Sequence, residues 1–238
     1  MMKRIGFYIS VVVNICLLLI LGYVILKKTD FPQRWEANRN HRIYVPERTD
    51  NDCVVSWTTS IRQLNYEADV VFFGNSITEG GNWQPQFSDV KIVNLGYIGE
   101  DTKGMLRRVV QIQSLHPKKV FIMAGINGLK YQTMDEFQTN YSHLIDSVRK
   151  ALPQCEIYLE SILPVTSKSK FCSNDKIIKA NQWIKDFAGK NSFVYVDLFS
   201  LYAVDNSLPE SFSYDGVHLC ENAYNIWYEE VKRWLKNE

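Results

Sequence analysis

Residues 68–80 read ADVVFFGNSITEG: an apolar run leaves through Gly74, puts Ser76 at the exit, and returns to glycine at Gly80 and Gly81. The run has no polar alternation and is rich in β-branched and aromatic side chains, which describes a strand covered on both faces. A turn that merely ends a strand does not need a hydroxyl held between glycines. A turn that presents a nucleophile at a sheet edge does, and residues elsewhere in the chain must choose between these readings.

Four further runs share this character: KIVNLG (91–96), KVFIMAG (119–125), EIYLESI (156–162) and FVYVDLF (193–199). Helical patterns separate them. TMDEFQTNYSHLIDSVRKAL opens on a capping box formed by Thr133 and Glu136, and Phe137, Tyr141, Leu144, Ile145, Val148 and Leu152 keep to one stripe. A last helix over about 221–235 carries Tyr224, Trp227, Val231 and Trp234 at the same spacing. Alternating strand and helix predicts an α/β domain with a five-stranded parallel sheet, right-handed crossovers, helices on both faces, and a ligand crevice at the carboxyl ends of the strands.

With 238 residues, 46% of them hydrophobic and 22% charged, the chain is sized for one such domain behind an N-terminal segment. Ile5 to Leu26 form 22 residues without charge, long enough to span a bilayer core, and no A-x-A-like cleavage site precedes Lys27. We expect residues 1–28 to be an uncleaved transmembrane anchor, 29–50 a linker, and 51–238 the domain, with a short helix after Asp50 on the spacing of Val54, Trp57, Ile61 and Leu64. A positive-inside count favours the cytoplasm, but long downstream domains translocate despite their charges, so the domain is expected to be exported to the cell-envelope side. Without residues 1–28, 23 basic face 26 acidic side chains, which gives no electrostatic footprint for nucleic acid. Cys53, Cys155, Cys172 and Cys220 lack C-x-x-C spacing, so no metal is expected, and they read either as buried thiols or as disulfide partners.

The crevice rule gathers scattered residues into one place. Ser76 follows the first strand, Gly96 ends the second in NLGYIGED, Asn127 follows the third in AGINGL, and Asp215 and His218 lie in YDGVHL after the fifth. A hydroxyl attacks well only when a neighbouring base takes its proton. Of four histidines, His218 alone has a carboxylate three residues earlier, close enough to fix its tautomer while the other nitrogen faces the serine. The amide of Asn127 and the N–H groups of Ser76 and Gly96 can serve a developing oxyanion. Taken singly, D-x-x-H is also an ordinary surface turn and G-x-N-G an ordinary left-handed one.

In this order and spacing, FFGNSITEG, NLGYIGED, AGING and DGVHL resemble the four blocks of the SGNH, or GDSL, hydrolase family over about residues 68–235. The resemblance implies a flavodoxin-like three-layer α/β/α domain with Ser76 as nucleophile, His218 as general base, and Asp215 as its orienting acid. Ser76, Gly96 and Asn127 then form the oxyanion hole. Asn75 stands where many members have Asp, and Gly128 where many have Asp after the third-block Asn. The implied reaction is cofactor-free hydrolysis of a small acyl ester, acetyl by preference, through an acyl-enzyme. GNSITEGGNW looks most like the carbohydrate-directed members, with lipase or thioesterase activity and a non-catalytic carbohydrate binder as alternatives. Trp83, Tyr97, Tyr131 and Tyr214 are the aromatics placed to stack on a sugar ring. A nucleotide binder is disfavoured, because neither G-x-x-x-x-G-K-[ST] nor G-x-G-x-x-G follows the first strand.

Overall fold

The five apolar runs pair as strands β1 (Val70–Gly74), β2 (Ile92–Gly96), β3 (Lys119–Met123), β4 (Glu156–Glu160) and β5 (Val194–Val196). All four pairings are parallel, in the order β2-β1-β3-β4-β5. The structure is a computed structural model that describes residues 66–235. The expected anchor over 1–28, the linker over 29–50, the helix after Asp50 and Cys53 lie outside the described residues. Among the described residues no helix is long and apolar enough to cross a membrane.

The helices are α1 (Ser76–Glu79), α2 (Thr102–Arg107), α3 (Val109–Gln113), α4 (Ile126–Leu129), α5 (Met134–Ala151), α6 (Asn174–Lys190), α7 (Leu198–Tyr202) and α8 (Tyr224–Leu235). Helix α5 begins at the expected capping box: Thr133 Oγ1 accepts from Glu136 N, and the Glu136 carboxylate accepts from Thr133 N. Its expected stripe is buried throughout. The fifth run ends three residues earlier than its apolar character suggests. Asp197 accepts the N–H of Ser200 at 3.1 Å and so starts α7, which takes Leu198 and Phe199 into a helix.

Strand alternation sends side chains to two different cores. Phe72, Phe121 and Tyr158 are register partners on β1, β3 and β4. Their rings stack at 5.2 and 4.4 Å in a ladder across the sheet. Trp227 and Trp234 of α8 close this face, the first edge-on to Trp83 at 4.9 Å and the second edge-on to Tyr158 at 5.6 Å. Each such aromatic pair adds about 0.5–1.5 kcal/mol beyond the area it buries. Away from this ladder, Phe137 and Tyr141 of α5 pack on Trp183 of α6, within the group of helices formed by α2, α3, α5 and α6. Cys155, Cys172 and Cys220 are free thiols rather than disulfide partners of one another.

Glu160 interrupts the aromatic face with a fully buried carboxyl at the end of β4. Its Oε1 accepts the indole N–H of Trp227 at 2.6 Å, whereas Oε2 has no partner. Burial pushes its pKa up to about 8, only partly offset by the Trp227 hydrogen bond, so the acid is neutral in the fold at pH 7. The unfolded chain loses that proton near pH 4.5, where the group ordinarily titrates. Folded protein therefore holds one proton more than unfolded between about pH 4.5 and 8, and stability falls across that window before levelling off. Glu160→Gln is expected to remove this slope, matching wild type at pH 4 and melting higher at pH 8.5. Melting temperature against pH for both proteins is the measurement, and parallel curves would contradict the assignment.

Gly96 ends β2 against the backbone of α1. A Cβ there would lie 2.1 Å from the amide nitrogen of Glu79 and 2.6 Å from its Cα, neither of which can swing aside. Gly96→Ala is expected to cost about 1–3 kcal/mol, the usual range for overpacking, read as a lower denaturant midpoint with unchanged m-value.

Candidate active site

The carboxyl ends of β1, β2 and β3 finish level, with Gly74 paired to both Gly96 and Met123. Sheet order reverses direction at β1, so the loops after β1 and β3 diverge from neighbouring strands and open the expected crevice. Gly74 is needed there for close approach: a Cβ would lie 2.1 Å from Thr78 Oγ1 and 2.8 Å from Met123 O. Asn75 then caps α1, its Oδ1 accepting from Ile77 N at 2.9 Å. That bond is the one an aspartate would make; the buried Nδ2 finds no partner. Ser76 is the first residue of α1.

The other half of the site comes from the long connection between α7 and α8. Asp215 Oδ1 accepts the N–H groups of Val217 at 2.9 Å and His218 at 2.8 Å, which folds the D-x-x-H turn onto its own carboxylate. Oδ2 lies 2.6 Å from His218 Nδ1, and His218 Nε2 lies 2.8 Å from Ser76 Oγ. Burial raises the Asp215 pKa, but the N–H groups of His218 and Val217 and the imidazole together outweigh it and hold the carboxyl below its ordinary value. The ionised carboxylate is an acceptor only. Nδ1 therefore carries the imidazole proton, and Nε2 is left as acceptor for the serine hydroxyl. The Tyr214 ring, 72% exposed, stacks on the imidazole at 5.8 Å. Thr166 N donates to Gly216 O at 3.0 Å, pinning this loop to the one that follows β4.

After β3, Asn127 is the second residue of α4 and donates from Nδ2 to Glu100 O at 2.8 Å. One of its two amide hydrogens is thereby used, and the other has no acceptor among the described residues. The Glu100 side chain is held by Arg108 through Nε at 2.8 and 3.0 Å and through a second guanidinium nitrogen. Arg108 also donates to Gln111 Oε1 and Leu95 O, and lies over the rings of Phe73 and Tyr97. Gly128 does leave the loop after Asn127 without an aspartate brace. Lys176 of α6 supplies one instead, donating from Nζ to Leu129 O and, at 2.7 Å, to Gln132 O.

Two sequence expectations change. The Gly96 N–H does not face the crevice: it donates to Asn94 Oδ1 at 2.8 Å. Three residues on, Gly99 sits at φ 72 in open space, and its N–H has no acceptor among the described residues. Trp83 is no sugar platform either. It is 2% exposed, stacks on Phe72 at 3.8 Å and donates from Nε1 to Thr78 O, because the chain after α1 turns its ring down onto the aromatic ladder. Tyr97 and Tyr131 are half-buried beside Arg108 and Lys130. Of the four aromatics only Tyr214 lines the cleft that holds Ser76 and His218.

Residues that sequence reasoning passed over complete that cleft: Asn82, Glu221, Tyr224 and Tyr228. Tyr224 donates its hydroxyl to Ile77 O at 2.7 Å, and Asn82 N donates to the Tyr228 hydroxyl at 2.8 Å, so α8 ties down the segment that follows Ser76 at two points. Tyr224 was legible only as a member of the apolar stripe of α8. Among the described residues no three His, Cys, Asp or Glu side chains cluster as metal ligands.

A serine hydroxyl on an imidazole oriented by a carboxylate can carry out acyl transfer. Over residues 72–226 the sequence matches the GDSL-like Lipase/Acylhydrolase family. Among solved structures it is similar to a protein of Streptococcus pneumonia described as a candidate platelet activating factor, at 28% identity and TM-score 0.67 over 76% of this chain and 92% of that one. It is also similar to a GDSL-like lipase of Bacteroides thetaiotaomicron, at 23% identity and TM-score 0.65 over 77% and 97%. A catalytic mutant of an acetylxylan esterase from Geobacillus stearothermophilus shares 17% identity and TM-score 0.59 over 73% and 96%. No curated protein matches the chain. The last two likenesses speak for the fold alone. The family match, which spans most of the described residues, speaks for the chemistry: the chain belongs to the GDSL-like lipase/acylhydrolase family, serine hydrolases of ester bonds.

Proposed function

We propose that this chain is a serine esterase that removes a small acyl group, acetyl by preference, from a hydroxyl-rich alcohol such as a carbohydrate. One observation carries the reading: the continuous chain Ser76 Oγ, His218 Nε2, His218 Nδ1, Asp215 Oδ2, at 2.8 and 2.6 Å. Ser76 Oγ attacks the ester carbonyl carbon as its proton passes to His218 Nε2. The tetrahedral adduct collapses, the C–O bond to the alcohol breaks, and Nε2 returns the proton to the departing alcohol oxygen. Water, deprotonated by the same nitrogen, then attacks the acyl-enzyme and frees Ser76. Asp215 stays ionised throughout and stabilises the imidazolium.

The oxyanion forms beside the N–H of Ser76 and the free amide hydrogen of Asn127. With the Gly96 N–H committed to Asn94, the loop after β2 offers its Gly99 N–H as the third donor. Likeness in fold to an acetylxylan esterase supports the carbohydrate part of the reading, as do the tyrosine rings and hydrogen-bonding groups that share the cleft. The uncharged stretch from Ile5 to Leu26 supports a membrane-anchored form with an exported catalytic domain.

Aryl esters of increasing chain length and acetylated sugars, offered to the purified protein, test the proposal. Turnover should be fastest on acetyl esters and lost in Ser76→Ala. Asp215→Asn should keep the fold and lower kcat by about a thousand- to ten-thousandfold, because the imidazole takes the wrong tautomer. Asn127→Ala should cost roughly a hundred- to a thousandfold in kcat with little change in KM, the loss expected for one oxyanion donor. Activity surviving in Ser76→Ala would overturn the assignment.

A further inference from the structure

The geometry at Ser76 decides which side of the cleft receives the alcohol, and this inference rests on the esterase reading above. His218 Nε2 must hand its proton to the departing oxygen, so the alcohol leaves on the imidazole side, away from Asn127. The cleft on that side is walled by Tyr214 and by the residues that follow the histidine, Leu219 and Glu221, with Asn82 and Tyr228 opposite. The wall mixes tyrosine rings and Leu219 with a few polar groups, and its charge is one-signed. No lysine or arginine lines it, and apart from the Asp215–His218 pair, whose charges serve each other, its formal charge is the carboxylate of Glu221.

Glu221 is exposed, and its carboxylate makes no hydrogen bond or ion pair among the described residues. Its neighbours in the cleft have spent part of their capacity on the fold. The Tyr228 hydroxyl accepts from Asn82 N and keeps its own hydrogen, and the Tyr224 hydroxyl donates to Ile77 O. What remains toward the cleft is a phenolic donor, the Asn82 carboxamide and a carboxylate able to accept from two hydroxyls at once. A carboxylate near the start of a helix also suits the helix dipole. That role does not require the side chain to line the cavity beside the nucleophile.

We propose that Glu221 is a specificity-determining residue of the leaving-alcohol site. It accepts hydrogen bonds from a polyhydroxy alcohol without negative charge, and it rejects alcohols that carry a carboxylate or phosphate close to the ester. At the separations of a shared small cleft open to water, a second anion weakens binding enough to lower kcat/KM by roughly three- to tenfold, and salt screens the effect.

The test compares kcat/KM of the full-length protein on O-acetylated methyl glucoside and on the matching O-acetylated methyl glucuronoside, whose carboxylate is free. Both are measured at low and at 0.5 M added salt, with 4-nitrophenyl acetate as a charge-free reference. Wild type is expected to favour the neutral sugar by about three- to tenfold at low salt, with the gap shrinking at high salt. Glu221→Gln should bring the ratio near one, and Glu221→Lys should invert it in favour of the uronate, with the change carried mainly by KM. A merely structural role for Glu221 would change rates on all three substrates together and leave the ratio alone. A wild-type ratio of one, or a ratio unmoved by either substitution, overturns this inference while hydrolysis of 4-nitrophenyl acetate, lost in Ser76→Ala, keeps the esterase reading. Absence of that hydrolysis in wild type removes the esterase reading and this inference with it.

Discussion

The level finish of three parallel strands is the constraint from which the site follows. Because Gly74 pairs with Gly96 on one side and Met123 on the other, the loops carrying Ser76, Gly99 and Asn127 all begin at the same height. A slip of one residue in either pairing would move a loop by about 3.3 Å and turn its side chains to the opposite face. The glycines at this level make the approach possible. Cβ atoms at Gly74 and Gly96 would meet Thr78 Oγ1, Met123 O and the Glu79 amide at under 3 Å, so the short helix bearing the nucleophile can sit down on the strand ends only where side chains are missing.

Most of this arrangement was readable from residue types in order. Five apolar runs, the capping box at Thr133 and the order of Ser76, Asn127, Asp215 and His218 were enough for the sheet and for the polar chain across the crevice. What stayed hidden depended on where a side chain points. In NLGYIGED either glycine could be the donor. Asn94, two residues before Gly96, was the available signal, since an asparagine tends to accept the N–H two residues on, and it takes up the Gly96 amide. Trp83 lies among glycines in a loop, like a ligand platform, but Phe72 is buried below it and the stacked contact draws the ring inward. Glu160 was passed over because one carboxyl in an apolar run does not break the pattern of a strand, and its partner, Trp227, lies 67 residues away.

The two halves of the site are held by different physics. On the oxyanion side, Arg108 and Glu100 pair with only 11% of either side chain exposed. Removing one partner of such a pair strands the other charge in the interior, and Arg108 avoids that by donating also to Gln111 and Leu95. Because Glu100 O is the acceptor for Asn127 Nδ2, the rigidity of the ion pair passes directly to the amide proposed as an oxyanion donor. A loop braced in this way has its donors set before substrate arrives, the condition under which dipoles stabilise developing charge without reorganisation.

On the histidine side the polar groups are more open, with 30% of the His218 and 41% of the Asp215 side chain exposed. Order there comes from backbone hydrogen bonds and from α8. Asp215 gathers two N–H groups of its own turn, Gly216 is pinned by Thr166, and Tyr202 anchors Ala223 with its hydroxyl at 2.7 Å. Helix α8 then reaches back through Tyr224 and Tyr228 to the loop of Ser76. One element thus sets the distance between nucleophile and base from both ends, and that element is seated on the sheet by Trp227 against the neutral Glu160. Ionising that acid would weaken the seat of α8 before disturbing any group that touches the substrate. Separation of Ser76 from His218 is therefore governed by packing beneath the sheet's aromatic ladder as much as by the turn in which the imidazole lies.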